Sequence, residues 1–571
     1  MLSLTARILI LGLLAQYNGQ VKAQKSKGST VTSEDWENLN QTVAGRLFQG
    51  NPFAEPCFSG QFDSPECKAI QDGYLDEKTR TDNPGAYIET QWSTCQATGE
   101  QCLLDSLNPH DPLPTLPPQE CKRGSVPDYF INVQEANDVK EAFAFAKEHD
   151  IPLVVKNTGH DYKGRSSAPG SLGLWTYNLK DMKYTPDFVP TGCSTKPQQG
   201  FTAGAGVQWG EAYAFADSNN ITVVGGSDQT VGVTGGWLQG GGHGALSPSL
   251  GLGVDRVLEI KVVTPDGELK IANECQNEDL FWALRGGGGG TFGVVLDHTI
   301  LASPRVTLPT LILSFAPDTT LAREMWSIMA DNALKWAEEG WGGFSRSNVM
   351  ILLNPKLSQT EAQASLAPLL DFGKQLQATN PDTTTLIFTE FSSWNEFFQT
   401  FTSQFVAVVG ANLALASRLI PKDLFQTADT KEDFVSALLA ADAATPGLII
   451  LIAAPTAFPF VPGSTSVTEA WRSSLYHITL RSNWNWNATL AEKKSHYDAA
   501  SQSIDNLRKI TPDAAYQNEA DVHEPNHEVS FWGDNYSRLL QIKEKYDPDH
   551  LLDCWHCVGW RQESPRFSCY I

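Results

Sequence analysis

The spacing of apolar and polar residues changes character near residue 124. Residues 24–123 are rich in proline and cysteine and have weak periodicity, which predicts a disulfide-tied N-terminal extension. The runs YFINV and LVVK that follow are typical of strands, and EANDVKEAFAFAKEHD between them has apolar residues at helical spacing. A strand, a helix and a strand within about 30 residues predict a βαβ unit.

Similar patterns continue to residue 305. FTAGAGV and ITVVGG are strand-like and enclose the helical pattern WGEAYAFADSNN, and RVLEIKVVTPDGELKIA predicts a hairpin that turns at Asp266-Gly267. We therefore expect an α+β domain of two lobes over residues 124–305. Over residues 306–510 longer helical patterns alternate with strand runs, which favours an antiparallel sheet covered by helices. Amphipathic patterns near the end predict helices in a C-terminal segment, 511–571, that returns to the first domain.

Residues 1–23 have the pattern of a secretory signal, so we expect an extracellular protein. Arg7 precedes the apolar run ILILGLLA, and small residues precede the cleavage position after Ala23. A membrane anchor is the weaker alternative, because the run is shorter than the about 20 residues that span a bilayer. Export also agrees with the glycosylation acceptor sequences at Asn40, Asn220, Asn487 and Asn535.

Ten cysteines in an exported chain predict disulfide bonds. Several of them lie in the N-terminal extension, where short loops are the simplest pairings. We therefore expect one bond between Cys57 and Cys67 and another between Cys95 and Cys102.

The spacing of Cys554 and Cys557 could indicate redox or zinc chemistry. The sequence has no second Cys/His pair at metal-binding spacing, so we expect no metal site. Disulfide bonds from these cysteines to Cys569 or elsewhere are favoured instead. For Cys193 and Cys275 the sequence leaves both a disulfide and a buried thiol open.

The charge balance narrows the class of partner. The chain has 42 Lys and Arg against 65 Asp and Glu, a net charge of −23 that repels nucleic acid and anionic membrane surfaces. We therefore expect a small-molecule substrate, no nucleic acid, no membrane partner and a monomer. A phosphate-bearing cofactor would have to be held by local backbone N–H groups.

Glycine is concentrated in two stretches, 225–244 and 284–295, that lie between strand patterns. Because glycine has no Cβ, such stretches let backbone N–H groups approach a pyrophosphate closely. The Rossmann fingerprint does not fit, since Gly204-Ala-Gly206 lacks the third glycine, and no stretch ends in the Gly-Lys-Ser/Thr of a P-loop.

A polar loop, KNTGHDYKGRSSAPGS, directly follows the strand pattern LVVK and contains His160. From the residues alone three roles stay open for this histidine: a solvated side chain, a catalytic acid or base, or a covalent attachment point.

Several quoted segments, taken together, resemble a known family. LVVKNTGHDYKGRSSAPGSL, GAGVQWGEAY, TVGVTGGWLQGGGHGALSPSLGLGVDRVLEI, LFWALRGGGGGTFGVV and NYSRLLQIKEKYDP look like the PCMH-type FAD-binding domain of the vanillyl-alcohol oxidase superfamily. The similarity is to the berberine bridge enzyme branch and its fungal secreted isoamyl alcohol oxidase-like members. It extends in order over residues 124–305 and 516–560.

The resemblance implies FAD, attached covalently through His160 to the flavin 8α-methyl group. It also implies the residues that line the cofactor: Lys156, Asn157, Thr158, Gly159, Asp161, Gly164, Arg165, Ser166, Asp228, Thr230, Val231, Gly232, Gly235, Gly236, Gly240, Gly241, Gly242, His243, Gly253, Val254, Val294, Asn518 and Asn535. Many relatives have a second link from a cysteine in Cys-Pro-Thr-Val-Gly, where this chain has Asp228-Gln-Thr-Val-Gly232. A single attachment is therefore expected.

The resemblance also indicates catalytic candidates. Tyr516 and Glu519 match a Tyr-x-Asn-Tyr segment whose tyrosine often serves as base, although Glu519 replaces the second tyrosine. His477 lies on a predicted strand of the second domain and is either catalytic or a satisfied sheet residue. Tyr162 either faces the substrate or packs, and Arg418 either binds a ligand or forms a structural ion pair.

The activity that follows is that of a secreted FAD-linked oxidase. It would transfer a hydride from an alcohol-type substrate to flavin, and O₂ would be reduced to H₂O₂. Oxidative cyclisation or desaturation of a secondary metabolite and carbohydrate oxidation are alternatives within the fold. A flavin-binding glycoprotein without turnover is the alternative from a different class.

Overall fold

The computed structural model describes residues 31–401 and 408–571 and shows an α+β protein. The predicted signal segment, 1–23, lies outside the described residues. The strands are β1 Leu47–Gln49, β2 Tyr129–Asn132, β3 Leu153–Lys156, β4 Leu172–Trp175, β5 Met182–Phe188, β6 Gln198–Gly204, β7 Ile221–Thr222, β8 Val257–Val263, β9 Leu269–Asn273, β10 Val294–Leu301, β11 Ser303–Pro304, β12 Leu308–Ser314, β13 Gly342–Arg346, β14 Val349–Leu353, β15 Thr385–Phe391, β16 Asn412–Pro421, β17 Ile449–Ile452 and β18 Ser474–Trp484.

The helices connect and cover these strands. They are α1 Ser33–Thr42, α2 Pro65–Gly73, α3 Glu77–Thr81, α4 Ala136–His149, α5 Trp209–Ser218, α6 Gly236–Gln239, α7 Ser247–Leu250, α8 Glu278–Leu284, α9 Thr319–Glu339, α10 Gln359–Ser365, α11 Ala367–Thr379, α12 Trp394–Phe401, α13 Ala428–Ala444, α14 Ala470–Ser473, α15 Leu490–Ser503, α16 Asp505–Arg508, α17 His527–Trp532 and α18 Tyr536–Tyr546. Within 31–401 and 408–571, none of them has the length and apolar character needed to cross a bilayer.

The first lobe contains the predicted βαβ unit. Strands β2, β4 and β3 are parallel, β1 of the N-terminal extension pairs with β2, and α4 connects β2 to β3. Helix α4 forms because its apolar residues recur on one face, and Val139, Ala142 and Phe143 are buried against the sheet. The loop that carries His160 begins directly after β3.

The second lobe is an antiparallel sheet of order β5-β6-β10-β8-β9. The predicted hairpin joins β8 and β9, and Gly267 at its turn has φ +80°. The strand predicted over ITVVGG is wrong beyond β7, which covers only Ile221–Thr222. The reason is that its pairing partner, β11, offers only Ser303 and Pro304, so the ladder has two residue pairs.

A seven-stranded antiparallel sheet, β15-β12-β14-β13-β17-β18-β16, follows. Side chains alternate across it, so one face packs on helices such as α9, whose Met325, Trp326 and Met329 share a core with Met350 and Ile478. The opposite face is directed at the first two lobes. We call this second side the cavity face; it includes Phe344, Arg346, Ile351, Leu353, Leu413, Leu415, Ile449, Leu451, Thr479 and Arg481.

The N-terminal extension is packed into this framework. Thr90 Oγ1 donates to Asn412 Oδ1 at 2.8 Å, and Gln91 Nε2 donates to the Leu413 carbonyl at 2.6 Å. The Ile88 N–H donates to the Gly159 carbonyl at 3.2 Å, so the extension connects the His160 loop to β16.

The disulfides partly follow the sequence prediction. Cys57–Cys67 is confirmed, whereas the predicted Cys95–Cys102 bond is wrong, because the described bonds are Cys95–Cys569 and Cys102–Cys121. The C-terminus lies alongside the extension, where the Ala97 N–H donates to the Cys569 carbonyl at 3.3 Å.

The remaining four cysteines form two disulfide bonds. Cys193 bonds to Cys275, so the disulfide rather than the buried thiol is the correct alternative. Cys554 bonds to Cys557, so the favoured disulfide role is confirmed, but Cys569 is not the partner, since it bonds to Cys95. A turn brings the two close, since the Cys557 N–H donates to the Cys554 carbonyl at 3.1 Å.

Candidate active site

A cavity of about 340 Å³ lies between the glycine-rich stretches and the cavity face of the seven-stranded sheet. It brings together loops that are far apart in sequence, from the His160 loop to the C-terminal segment. Of the residues predicted from the sequence, those lining it are Asn157, Thr158, Gly159, His160, Asp161, Tyr162, Arg165, Ser166, Asp228, Val231, Gly232, Gly235, Gly236, His243, Tyr516, Asn518 and Glu519.

Other predicted cofactor residues support the loops from behind. Lys156 is fully buried, and its Nζ donates to the carbonyls of Asn83 and Pro84, both at 2.9 Å. A Cβ on Gly164 would lie 2.2 Å from Trp92. Thr230 contacts His160. These positions hold the walls of the cavity and do not line it.

The later predicted positions also serve packing. Cβ atoms on Gly242 and Gly253 would lie 2.7 and 2.6 Å from Trp237, and one on Gly240 would lie 2.4 Å from Asn518. A Cβ on Gly241 would be 3.3 Å from Val467, whose carbonyl accepts a 2.9 Å bond from Asn535. Both hydrophobic positions are core residues: Val254 and Val294.

The glycine cradle is the part of the cavity that fits a dinucleotide cofactor. A Cβ on Gly289 would lie 2.9 Å from the Cα of Gly236, so the two glycine stretches face each other across a narrow gap. A Cβ on Gly236 would meet nothing within 4 Å and would project into open space. Asn157 Oδ1 is a buried acceptor with no hydrogen-bond partner among the described residues. Open backbone and an unpaired polar atom beside it are suited to the pyrophosphate and sugar of FAD.

His160 is held by a short chain of polar groups. Its Nε2 lies 2.7 Å from Thr230 Oγ1 and 3.5 Å from Asp228 Oδ1. Thr230 donates its hydroxyl hydrogen to Asp228 Oδ1 at 3.0 Å and therefore accepts from His160 Nε2–H. Burial lowers the pKa of His160, and the charge of Asp228 opposes the shift only in part. The imidazole is thus neutral, with its lone pair on Nδ1.

Asp228, which neighbours this histidine, interacts with a second carboxyl group, that of Glu77. Burial, and then the charge of Asp228, raise the pKa of Glu77 to about 7. Gln229 donates to Glu77 and orients it. Glu77 is therefore partly protonated near neutral pH.

Glu519 joins two histidines into one cluster. Its Oε1 lies 3.1 Å from His243 Nε2 and its Oε2 lies 2.8 Å from His477 Nε2. Burial alone would raise the pKa of Glu519, but the charge and hydrogen bonds of the two histidines outweigh burial and hold it well below its usual value. His243 and Glu519 line the cavity, and His477 lies behind them, fully buried.

Tyr516 lies at the edge of the same cluster. Its ring is 5.0 Å from that of His243, centroid to centroid, and its hydroxyl accepts a 2.7 Å bond from Asn518 Nδ2. Asn518 Oδ1 in turn accepts from Arg165 at 2.8 Å. Burial, and then the charge of Glu519, raise the pKa of Tyr516. The tyrosine is therefore a neutral donor at physiological pH.

Tyr162 also lines the cavity. Burial, and then the charge of Glu89, raise its pKa well above the usual value. Arg418, in contrast, is 1% exposed and pairs with Glu524 at 2.6 Å and Asp513 at 3.3 Å, so it is a structural ion pair.

Sequence reasoning missed the walls contributed by the seven-stranded sheet and by α12. These are mainly apolar, with two arginines: Phe344, Arg346, Trp394, Phe397, Phe398, Leu413, Leu415, Ile449, Leu451 and Arg481. A charged residue at an alternating position of an apolar strand, such as Arg481 in LYHITLR, was the signal that could have found the second arginine.

Comparison with known proteins agrees with this geometry. Residues 127–273 match the family model described as FAD binding domain, and residues 515–554 match the one described as berberine and berberine like. The chain is 38% identical to the FAD-linked oxidoreductase ffsJ of Aspergillus flavipes, over 94% of both chains.

Solved structures show the same fold. The VAO-type flavoprotein MtVAO615 of Myceliophthora thermophila C1 superposes with a TM-score of 0.81 at 30% identity, covering 92% of this chain and 95% of that one. The glucooligosaccharide oxidase of Acremonium strictum, which carries a 6-S-cysteinyl, 8α-N1-histidyl FAD, shares the fold at 19% identity and a TM-score of 0.61, covering 76% of this chain and 91% of that one.

The fold and the glycine cradle together define an FAD-dependent oxidoreductase. The chain belongs to the FAD-linked oxidoreductases of the vanillyl-alcohol oxidase and berberine bridge enzyme superfamily. The α+β fold, the superfamily and the enzyme class predicted from the sequence are confirmed.

Proposed function

We propose that the protein is a secreted oxidase that binds FAD covalently through His160, oxidises an alcohol-type substrate and reduces O₂ to H₂O₂. The observation that carries the proposal is the arrangement of His160, Thr230 and Asp228 beside the glycine cradle. Bound flavin would supply the two-electron chemistry. Five disulfides support an extracellular setting.

His160 has the properties of an attachment residue. A neutral imidazole is a nucleophile, and the Nε2–H bond to Thr230 leaves Nδ1 as the nucleophilic nitrogen. Asp228 stabilises the positive charge that develops on the ring when Nδ1 forms a bond. By the resemblance of Asp228-Gln-Thr-Val-Gly232 to Cys-Pro-Thr-Val-Gly, Asp228 replaces the second linking cysteine, which supports a single attachment.

Glu519 and its two histidines form the acid–base group that alcohol oxidation needs. A carboxylate held by two donors is a weak proton acceptor, so Glu519 stabilises a proton on a histidine rather than taking it. Of the two histidines, His243 lines the cavity and His477 lies behind it, so His243 is the proposed proton acceptor. Tyr516, Tyr162 and His477 orient the substrate hydroxyl or the acid–base group around it.

The apolar walls of the cavity help to choose between the alternative substrate classes. The cavity face and α12 present Phe344, Trp394, Ile449 and Leu451 to the substrate side. An apolar wall favours a hydrophobic alcohol over a carbohydrate, whose hydroxyls need polar partners. Oxidative cyclisation of a hydrophobic metabolite would use the same acid–base group and stays the second candidate.

The attachment is tested on purified full-length protein by acid precipitation. Flavin is expected in the pellet, on a peptide that contains His160. The variant His160→Ala should release its flavin into the supernatant, and His110→Ala, whose side chain is exposed in a distant loop, should retain it. Flavin in the supernatant of the parent protein, or on another peptide, contradicts the attachment. Peroxide detection over a panel of hydrophobic alcohols then tests the oxidase activity.

A further inference from the structure

Two arginines of the seven-stranded sheet, Arg346 and Arg481, line the cavity. Arg346 ends β13, and Arg481 lies on β18, with β17 between the two strands. Arg346 follows Ser345, which pairs with Ile450, and Ile450 pairs with Ile478. The register therefore places both side chains on the same face of the sheet, and both line the cavity. We call Arg346 and Arg481 the arginine pair.

Every other charged side chain that lines the cavity has a partner among the described residues. Asp161 lies 3.8 Å from Arg165, which also donates to Asn518. Asp228 lies next to His160, and Glu519 is bound by His243.

The arginine pair is different. In residues 31–401 and 408–571, no carboxylate lies within ion-pair distance of either guanidinium, and neither donates a side-chain hydrogen bond. Partial desolvation and, second, the positive charge of Arg481 lower the pKa of Arg346, so the two cations repel each other. Arg346 is exposed, Arg481 is half-buried and both line the cavity, so their guanidinium groups are open to an anionic ligand in a chain whose net charge is −23.

The arginine pair comes from elements other than those that form the glycine cradle. The glycine cradle is built from the loop after β3, from 225–244 and from 284–295, whereas the arginines come from the seven-stranded sheet. The charge of Arg481 acts on Tyr162, where it opposes the rise in the pKa of that tyrosine, and Tyr162 lines the same cavity. Between the arginines the wall is apolar, with Ile449 and Phe344.

We propose that the arginine pair is a subsite for a carboxylate on the substrate, so that the preferred substrate is an apolar alcohol bearing an anionic group. The guanidinium forks bind the carboxylate oxygens and orient the hydrophobic body along the apolar wall. This inference rests on the proposed function for the alcohol as the reacting group. The binding of a carboxylate by the arginine pair does not depend on the proposed function.

Binding is measured by calorimetry on the flavin-loaded full chain, with benzoate as the anionic probe and benzamide as its neutral isostere. Benzoate should bind at least about tenfold more tightly than benzamide, because hydrogen bonds to charged groups are the strong ones. Arg346→Gln and Arg481→Gln should each weaken benzoate about tenfold or more and leave benzamide unchanged. Arg481→Lys should recover part of the affinity. Arg323→Gln, which removes an exposed ion pair with Glu432 on the far side of the sheet, is the matched control.

Each outcome decides the inference. The inference is overturned if benzoate and benzamide bind with equal affinity, or if no benzoate binding is detected at about 10 mM. It is also overturned if both glutamine variants bind benzoate as tightly as the parent. Loss of bound flavin from these variants with benzoate affinity unchanged assigns the arginines to the cofactor and also overturns it. Failure of the proposed function is a separate result: flavin is then absent from the His160 peptide, or no peroxide forms, whatever the benzoate affinity.

Discussion

Replacing Glu519 by glutamine isolates the contribution of its charge, because the amide keeps the shape of the side chain. The carboxylate accepts bonds of 3.1 Å from His243 and 2.8 Å from His477, and its side chain is 22% exposed. A bond to a charged acceptor contributes about 1 kcal/mol more than a neutral one, so two such bonds give a loss of about 2 kcal/mol in the free energy of unfolding at pH 7.

The stabilisation by Glu519 decreases as the pH falls. The folded-state pKa of Glu519 lies below its unfolded value of 4.5, so its stabilisation is fully present above pH 4.5 and is lost as the pH falls. At pH 3.5, one pH unit below the unfolded-state pKa, protonation of Glu519 in the unfolded state removes about 1.4 kcal/mol of this stabilisation. The difference in the free energy of unfolding between parent and variant should therefore shrink by about that amount.

Urea unfolding followed by tryptophan fluorescence, with the disulfides intact, measures both quantities. Glu432→Gln is the control, since Glu432 forms an exposed pair with Arg323 and should behave as the parent does. The reasoning is refuted if Glu519→Gln is as stable as the Glu432 variant at pH 7, or if its deficit does not diminish on acidification.

Two further substitutions test buried groups that support the cavity. Burial, and then the charge of Asp161, raise the pKa of Glu89 to about 8 from 4.5, so the parent should lose stability relative to Glu89→Gln as the pH rises from 4.5 to 8. Urea midpoints at pH 5 and pH 8 measure this, and an equal difference at both pH values would contradict it. In Gly232→Ala the new Cβ would lie 2.0 Å from Asn157 Oδ1, so we expect a cost of about 1–3 kcal/mol and lower flavin content by absorbance. Gly210→Ala, where the nearest atom is 3.3 Å away, should retain parental flavin, and equal flavin loss in the two variants would refute the steric argument.

The sequence by itself determined the local elements and the cofactor. Helix α4 and strands β2 and β3 follow from the spacing of apolar residues on one element, because periodicity reports which side chains share a face. The two glycine stretches indicated close backbone approach, and the structure places them across a narrow gap. The family resemblance carried the assignment of FAD, which no periodicity could supply.

Only the tertiary structure decided which distant side chains meet. Glu519 contacts His243 and His477 from separate loops and strands, and Cys95 bonds to Cys569 across a separation of 474 residues. Arg346 and Arg481 line the same cavity because β17 joins β13 to β18 in the sheet order. Spacing along the chain has no information about such contacts, since strand order and register are chosen by the burial of whole faces rather than by any one residue.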